Sequence, residues 1–408
     1  MQRTSSSALL PPPPAAGAVA DLLSGYVLPA GLVVLLTGMV WSGERSIYHQ
    51  LFYALIAAPA LVLAATRREL LPALARSPVF VAFVAFASYF ALSVAWTDAE
   101  RSAGSLLKRP LYVLMLFVAC IELGRLLPDR LALVVRAAAC GAAASATILL
   151  VEHLRMQPFA SARLVGHGAL INPLLTSHVF GFFAALWIGH WISAPLRWTP
   201  LHLFAVALLG GLIVATGSRT PLVALAATVL WLAALVRGPR GLIACAALVA
   251  IAGSVALAWP DVIAQRGLSY RPQIWADALR QISEHPVVGH GFEHPLRIHV
   301  GDLGYALWDP HNMTLGVLYQ GGAIGLVLWV ALYGAAFVAA WRGRASRAVL
   351  VCSAPLVYGL VAGMTEGGSF LSRPNEHWFL IWIPLALVAA FTVRSESPPS
   401  QRDGRENR

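Results

Sequence analysis

The chain has 408 residues, of which 58% are hydrophobic and only 12% are charged, and its mean hydropathy is +0.70. Soluble domains carry about 25% charged residues, and one domain of this length could not bury so much apolar surface. The composition therefore excludes a soluble enzyme and indicates a polytopic membrane protein. The formal net charge is +10, and Lys108 is the single lysine among 29 basic residues. Such an excess first suggests that arginines anchor cytoplasmic loops, and only then an anionic ligand.

Twelve apolar segments are long enough to be transmembrane helices, which need about 20 mostly apolar residues. They lie at residues 18–41, 47–66, 78–96, 106–125, 131–152, 170–192, 199–217, 220–236, 241–259, 311–341, 347–366 and 377–393. The polar ends, residues 1–17 and 395–408, are predicted to be disordered tails. The sequence thus predicts an all-α membrane protein of about twelve transmembrane helices, with one domain over residues 18–394.

The distribution of arginines predicts the orientation of these helices, because cytoplasmic loops are enriched in Lys and Arg. With a cytoplasmic N-terminus, the inside turns carry grouped arginines, such as Arg237 with Arg240 and Arg342 with Arg344. The short outside loops are sparser in basic residues. Both termini are therefore predicted to be cytoplasmic.

One outside segment, residues 260–310, is far longer than the other outside loops, and loops of this length are usually functional. The positive-inside rule does not govern long translocated loops, so the arginines of this segment need another explanation. Within it, residues 272–283 are predicted to form a helix, with Pro272 near its first position. Ile274, Ala278 and Ile282 would share one face of that helix.

A set of motifs begins in this segment and continues into the tenth span. In chain order the motifs are Arg271-Pro-Gln-Ile-Trp275, His285-Pro286-Val-Val-Gly289-His-Gly291, Pro310-His311-Asn312 and Gly321-Gly322-Ala-Ile-Gly325. Two more stand at outer ends of other spans, Gly217-Ser218-Arg219-Thr220 and Trp96-Thr97-Asp98. Together these motifs resemble the O-antigen ligase family, whose superfamily also includes O-antigen polymerases and protein O-oligosaccharyltransferases. Each motif alone is unspecific.

The resemblance implies a membrane glycosyltransferase of the inner membrane of a Gram-negative bacterium, with its active site facing the periplasm. The donor would be O-antigen on undecaprenyl diphosphate, and the acceptor a sugar hydroxyl of lipid A–core. Membrane lipids are the other expected partners, and neither a cofactor nor a nucleic acid is implied. Direct displacement at the anomeric carbon would invert its configuration.

The leaving group of such a reaction is an anionic lipid diphosphate. Arg suits it, because the planar guanidinium matches phosphate oxygens and stays protonated. Arg219 and Arg271 are therefore the residues expected to bind the donor diphosphate. The alternatives are an interfacial arginine reaching lipid headgroups for Arg219 and a solvated loop charge for Arg271.

His311 is the expected catalytic residue, since histidine can take a proton from an attacking hydroxyl near neutral pH. Asn312 would assist it. An ordinary interfacial histidine or a helix cap is the alternative at this position.

Five further residues are weaker candidates for substrate binding. Each has an ordinary alternative: a solvated charge for the arginines, an interhelical hydrogen bond for the histidine and a helix-end carboxylate for the glutamate. They are Arg163, Arg266, Arg280, His178 and Glu366.

Two patterns of residues resemble metal sites. Asp98 and Glu100 form an acid-x-acid pair at an outer helix end, but Thr97 with Glu100 also fits a capping box, which we favour. His290 and His294 have the spacing of helical metal ligands, but the glycines and proline around them break a helix. We therefore predict a metal-independent enzyme.

The sequence is compatible with two other functions. An O-antigen polymerase would use a second lipid-linked glycan as acceptor, and the same diphosphate-binding arginines would serve it. A lipid or glycan transporter would need ion-coupling polar residues in the middle of the membrane. The chain offers little there beyond His178.

Overall fold

The computed structural model of the protein describes residues 14–156, 163–195, 198–258, 270–301 and 305–393. Across these ranges the regular structure is helical, and the β contact found there is an isolated antiparallel bridge between Ile298 and Leu307. The predicted all-α architecture is thus confirmed. The predicted tails lie mostly outside the described residues.

Helices follow one another along the described chain, joined mostly by short turns. They are α1 (Gly17–Trp41), α2 (Arg45–Thr66), α3 (Leu70–Ala75), α4 (Pro78–Ala95), α5 (Ala103–Leu126), α6 (Pro128–Met156), α7 (Pro173–Ser193), α8 (Thr199–Ala215), α9 (Thr220–Val236), α10 (Pro239–Ala258), α11 (Arg271–Ile282), α12 (Met313–Arg342), α13 (Arg347–Gly363) and α14 (Trp382–Thr392). A helix stands at each of the twelve predicted apolar segments, and α11 is the predicted loop helix.

Within the described residues, six helices are long and apolar enough to cross a membrane, namely α1, α2, α4, α6, α7 and α12. Five other predicted spans form apolar helices of 10 to 17 residues, when α10 is counted over Pro239–Ala250. Helix α5 has 24 residues but carries four charged side chains, those of Lys108, Arg109, Glu122 and Arg125. The chain is therefore a membrane protein, and the count of twelve spans stays a prediction.

Helices α7 and α14 lie at the centre of the bundle. Of the apolar window in α7, 89% is buried inside the protein, as expected for a helix that is hydrophobic all round. Glycines let neighbouring backbones approach closely, as is common between membrane helices. A Cβ on Gly124 would overlap the carbonyl of Ala390, and one on Gly359 would overlap that of Leu380. This tight centre supports the irregular outer segments that carry the candidate site.

Candidate active site

Helix α12 is broken at Gly322, whose φ of 58° and ψ of −160° are not helical. The turn formed by residues 286–291, called here the docked turn, fills the break. Four backbone hydrogen bonds join the two: Ala323 to Pro286 (2.8 Å), Ile324 to Val287 (3.2 Å), His290 to Tyr319 (3.0 Å) and Gly291 to Gln320 (2.9 Å), donor first. The docked turn thus supplies partners that an unbroken helix would find within itself.

Two glycines make this docking possible. Gly289 has a φ of 71°, and a Cβ there would overlap the carbonyl of Gln320. A Cβ on Gly322 would overlap the carbonyl of Val287. Tyr89 closes the junction, since its hydroxyl lies 2.9 Å from the carbonyl oxygens of both Val288 and Gly321. The glycine motifs of the sequence therefore fix the long loop onto the membrane helix.

Helix α11 precedes the docked turn and is held through its apolar face. Ile274, Ala278 and Ile282 are buried, as the sequence predicted. The indole Nε1 of Trp275 donates a hydrogen bond of 3.2 Å to the carbonyl of Pro310. These contacts fix the position of Arg271, which is the first residue of α11.

Arg271 is anchored to the segment that follows α13. Its Nη2 donates to Oε1 of Glu366 at 2.7 Å, and its Nε donates to the carbonyl of Thr365 at 3.3 Å. The carboxylate side chain is only 4% exposed, whereas the arginine side chain is 29% exposed. Part of the guanidinium therefore remains open to a ligand, while its other edge is fixed.

Glu366 lies beyond the end of α13 and is surrounded by charged groups. Burial raises the pKa of its carboxyl from 4.5 to about 7, against the opposing effects of Arg271 and Arg163. Asp309 raises it further. Glu366 therefore titrates near neutrality in the middle of the candidate site.

The loop between α8 and α9 reaches the same segment. Arg163 braces this loop: its Nε donates to the carbonyl of Thr216 at 2.6 Å and its Nη2 to the hydroxyl of Ser218 at 3.1 Å. The hydroxyl of Thr220 lies 2.9 Å from that of Thr365. Arg219 stands directly before Thr220, at the exposed N-cap position of α9. The structure thus places both predicted diphosphate-binding residues in segments that meet at Thr365.

His311 occupies a tight turn before α12. Its φ is 48°, in the left-handed region, and its amide donates to Oδ1 of Asp309 at 2.7 Å. The next residue, Asn312, caps α12, since its Oδ1 accepts from the amide of Leu315 at 3.0 Å. The side chain of Asn312 therefore caps the helix and fixes the position of His311.

Residues 363–368 connect the arginines to the His311 turn. A Cβ on Gly367 would lie 3.0 Å from Met313, and one on Gly368 would lie 2.7 Å from Pro310. The same segment contains Thr365 and Glu366. Of its residues the sequence pointed only to Glu366. The signal that was available is a carboxylate set among glycines just after a span.

His178 is buried in α7 below this segment. Neither ring nitrogen has a hydrogen-bond partner among the described residues. Arg271 and His377 lie close enough to act on it electrostatically. The residue is thus a neighbour of the site, on the side of the apolar bundle.

Arg280 is not brought to this place. Arg280 is 64% exposed and pairs within its own helix turn, with Asp277 at 2.6 Å and Glu284 at 3.6 Å. Arg266 lies outside the described residues.

The capping box predicted at Thr97 and Glu100 is wrong. Helix α5 begins only at Ala103, and the Thr97 hydroxyl has no hydrogen-bond partner in the described part of the chain. Thr97 instead packs against the docked turn, where a Cβ on Gly291 would lie 2.7 Å from it.

Three loop histidines lie side by side. The ring of His290 is 4.7 Å from that of His285 and 5.2 Å from that of His294, between centroids, and stacks on Tyr319 at 4.2 Å. Burial lowers the pKa of His290 and of His294. In the described ranges no group of three or more His, Cys, Asp or Glu side chains is arranged to hold a metal ion. Metal independence stays a prediction.

Comparison with known proteins now assigns the family. The sequence profile described as O-antigen ligase matches residues 204–330, which include the Arg219 loop, α11, the docked turn and the His311 turn. The chain is also 51% identical to a Pseudomonas aeruginosa protein named O-antigen ligase, over 93% of this chain and 94% of that protein. The chain belongs to the O-antigen ligase family. It is accordingly a membrane glycosyltransferase.

Proposed function

We propose that this O-antigen ligase family member transfers O-antigen from undecaprenyl diphosphate to a sugar hydroxyl of lipid A–core. The observation that carries the proposal is the meeting of Arg271 and the Arg219 loop at Thr365 and Glu366, beside the His311 turn. A cationic group next to a histidine is what displacement of a lipid diphosphate requires.

The arginines would bind the donor. Arg271 and Arg219 provide charged donors that match diphosphate oxygens, and Glu366 with Thr365 fixes one edge of Arg271 so that its other edge faces the ligand. Arg163 supports the arrangement by holding the loop before Arg219. The negative charge that develops on the leaving group is thereby stabilised.

His311 would act on the acceptor. It accepts the proton of the attacking hydroxyl while the new bond to the anomeric carbon forms and the bond from that carbon to the diphosphate oxygen breaks. The undecaprenyl diphosphate leaves with the bonding electron pair. One direct displacement inverts the anomeric configuration, and no metal ion takes part because the arginines supply the positive charge.

The proposal places the protein in the inner membrane with both termini in the cytoplasm. Twelve spans then bring Arg219, at the start of α9, and His311, just before α12, to the periplasmic side, together with residues 260–310. Lipid A–core and lipid-linked O-antigen meet on that side.

A ligase-deficient Gram-negative host tests the function. We expect the wild-type chain to restore capped lipopolysaccharide on a stained gel. His311→Ala and Arg219→Ala should lose the capped product at wild-type protein levels. His299→Ala is the matched control, because His299 is an exposed loop histidine. Wild-type amounts of capped product from both site variants would contradict the site assignment.

The same experiment addresses the polymerase alternative. A polymerase would lengthen lipid-linked chains and leave lipid A–core uncapped. The stereochemistry is read separately, from the anomeric configuration of the new linkage by NMR. A retained configuration would exclude direct displacement.

A further inference from the structure

A polar cavity lies beside the His311 turn. It is a cavity of about 780 Å³, within the roughly 300–1,000 Å³ of small-molecule sites. Four arginines line it: Arg45, Arg101, Arg109 and Arg373. Only two of its lining residues are acidic, Glu293 and Asp309.

Two of these arginines are already neutralised. Arg109 is buried and pairs with Glu293 at 2.5 Å, and Arg45 pairs with the buried Glu376. Arg101 and Arg373 are exposed, and neither has a carboxylate within 4.0 Å among the residues that the structure describes. The cavity therefore offers two cationic groups to a ligand.

The remaining lining suits a saccharide. Ser105, Ser369, Gln320 and Asn375 provide hydroxyl and amide groups for sugar hydroxyls. Trp308 adds a largely exposed aromatic ring, and the guanidinium of Arg297 lies 4.9 Å from the centre of that ring. Such a mixture of neutral polar groups and arginines fits a sugar that also carries negative charge.

The cavity ends at the His311 turn. Asp309, Pro310 and Gly368 line it, and Asp309 accepts the amide hydrogen of His311. Glu366 and Arg271 lie just beyond Gly368 along the 363–368 segment. The cavity and the arginines assigned to the donor are thus both close to the His311 turn.

We propose that this cavity binds the acceptor saccharide through phosphate or carboxylate groups that Arg101 and Arg373 recognise. The inference rests on the proposed function, since it takes the Arg271 side as the donor site. Direct displacement requires the acceptor hydroxyl to reach the anomeric carbon of the bound donor, and the cavity and the Arg271 side are both close to the His311 turn. The ligand class is an anionic oligosaccharide.

Binding to purified protein tests the inference without turnover. The probes are lipid A–core from a strain lacking O-antigen, intact or treated with phosphatase. Arg101→Gln and Arg373→Gln should each raise the Kd of the intact probe about tenfold, as expected for a lost charge-assisted hydrogen bond. Arg344→Gln, an exposed arginine at the distant end of α12, is the matched control.

The phosphatase-treated probe identifies the charge. If phosphates carry recognition, the wild type should bind the treated probe about tenfold more weakly, and the variants should differ little from it. If the wild type binds both probes equally and the variants bind both weakly, the two arginines recognise carboxylate groups of the saccharide. The proposal then stands. Variants that keep the wild-type Kd for both probes would overturn it. Failure of the wild type to cap lipopolysaccharide would instead count against the proposed function.

Discussion

The apolar centre around α7 and α14 and the outer region around residues 286–313 are built on different principles. In the centre the helices are regular, and glycines such as Gly359 permit backbone contact. In the outer region Gly289, His311 and Gly322 have positive φ, and hydrogen bonds and ion pairs hold the chain. Packing specifies the first region, and polar contacts specify the second. Changes in the first should therefore cost folded protein, and changes in the second should cost activity.

Gly359→Ala should have the largest effect. The new methyl group would overlap the carbonyl of Leu380 in the packed centre, and overpacking typically costs about 1–3 kcal/mol or more. We expect a lower midpoint of thermal unfolding in detergent and a lower yield. Gly334→Ala in α12 is the control, because a Cβ there meets nothing within 4 Å. Equal unfolding midpoints for the two variants would refute the tight packing around Gly359.

Arg271→Gln should keep the protein level and weaken donor binding. The loss of charge-assisted hydrogen bonds to the diphosphate should raise the donor KM about 10- to 100-fold. Arg271→Lys should give a smaller rise, because the ammonium keeps the charge and loses the planar fork. Donor titrations in membrane vesicles measure both. A rise in acceptor KM alone would contradict the donor assignment.

Glu366→Gln should change the pH dependence of donor binding. The carboxyl of Glu366 has a pKa of about 7, so it gains a proton as the pH falls through neutrality. Protonation removes the negative charge that repels the diphosphate and competes with it for Arg271, so the donor KM of the wild type should fall toward low pH. The glutamine variant should show a flat profile between pH 6 and 8, with a KM near the low-pH value of the wild type. If the donor KM of the variant changed with pH as much as that of the wild type, Glu366 would be excluded as the source of the pH dependence.

Arg280→Gln should have the smallest effect. Arg280 is exposed and pairs on the surface of α11, and exposed ion pairs contribute little. We expect capped lipopolysaccharide and both KM values to stay within about twofold of the wild type. A larger loss of capped product or a larger rise in KM would show that Arg280 contributes to substrate binding.

The sequence predicted the centre well because hydrophobicity and helical periodicity are local signals. Helix α9 has the predicted bounds, and the buried face of α11 consists of the predicted Ile274, Ala278 and Ile282. The predicted helix ends were less accurate where polar contacts determine the residue at which the helix stops. The predicted span 347–366 ends at Gly363, and this places Glu366 in the irregular 363–368 segment rather than in a helix.

The candidate site was predictable only in part. The motifs pointed to Arg271 and His311, but not to the contact between Thr220 and Thr365 that brings the Arg219 loop to them. That contact joins residues 145 positions apart in the chain. The four-arginine cavity was missed for the same reason. Its arginines come from three separate parts of the sequence, and each one read alone is an ordinary loop or interfacial charge.

The break in α12 has a consequence for biogenesis. Gly322 lies nine residues into the helix, about 14 Å along its axis at 1.5 Å per residue. Until the docked turn arrives, the amides of Ala323 and Ile324 lack the partners that they have in the finished protein. Unsatisfied backbone groups in lipid cost several kcal/mol each. The broken form of α12 therefore depends on the docked turn, so that this helix and the turn reach their final conformations together.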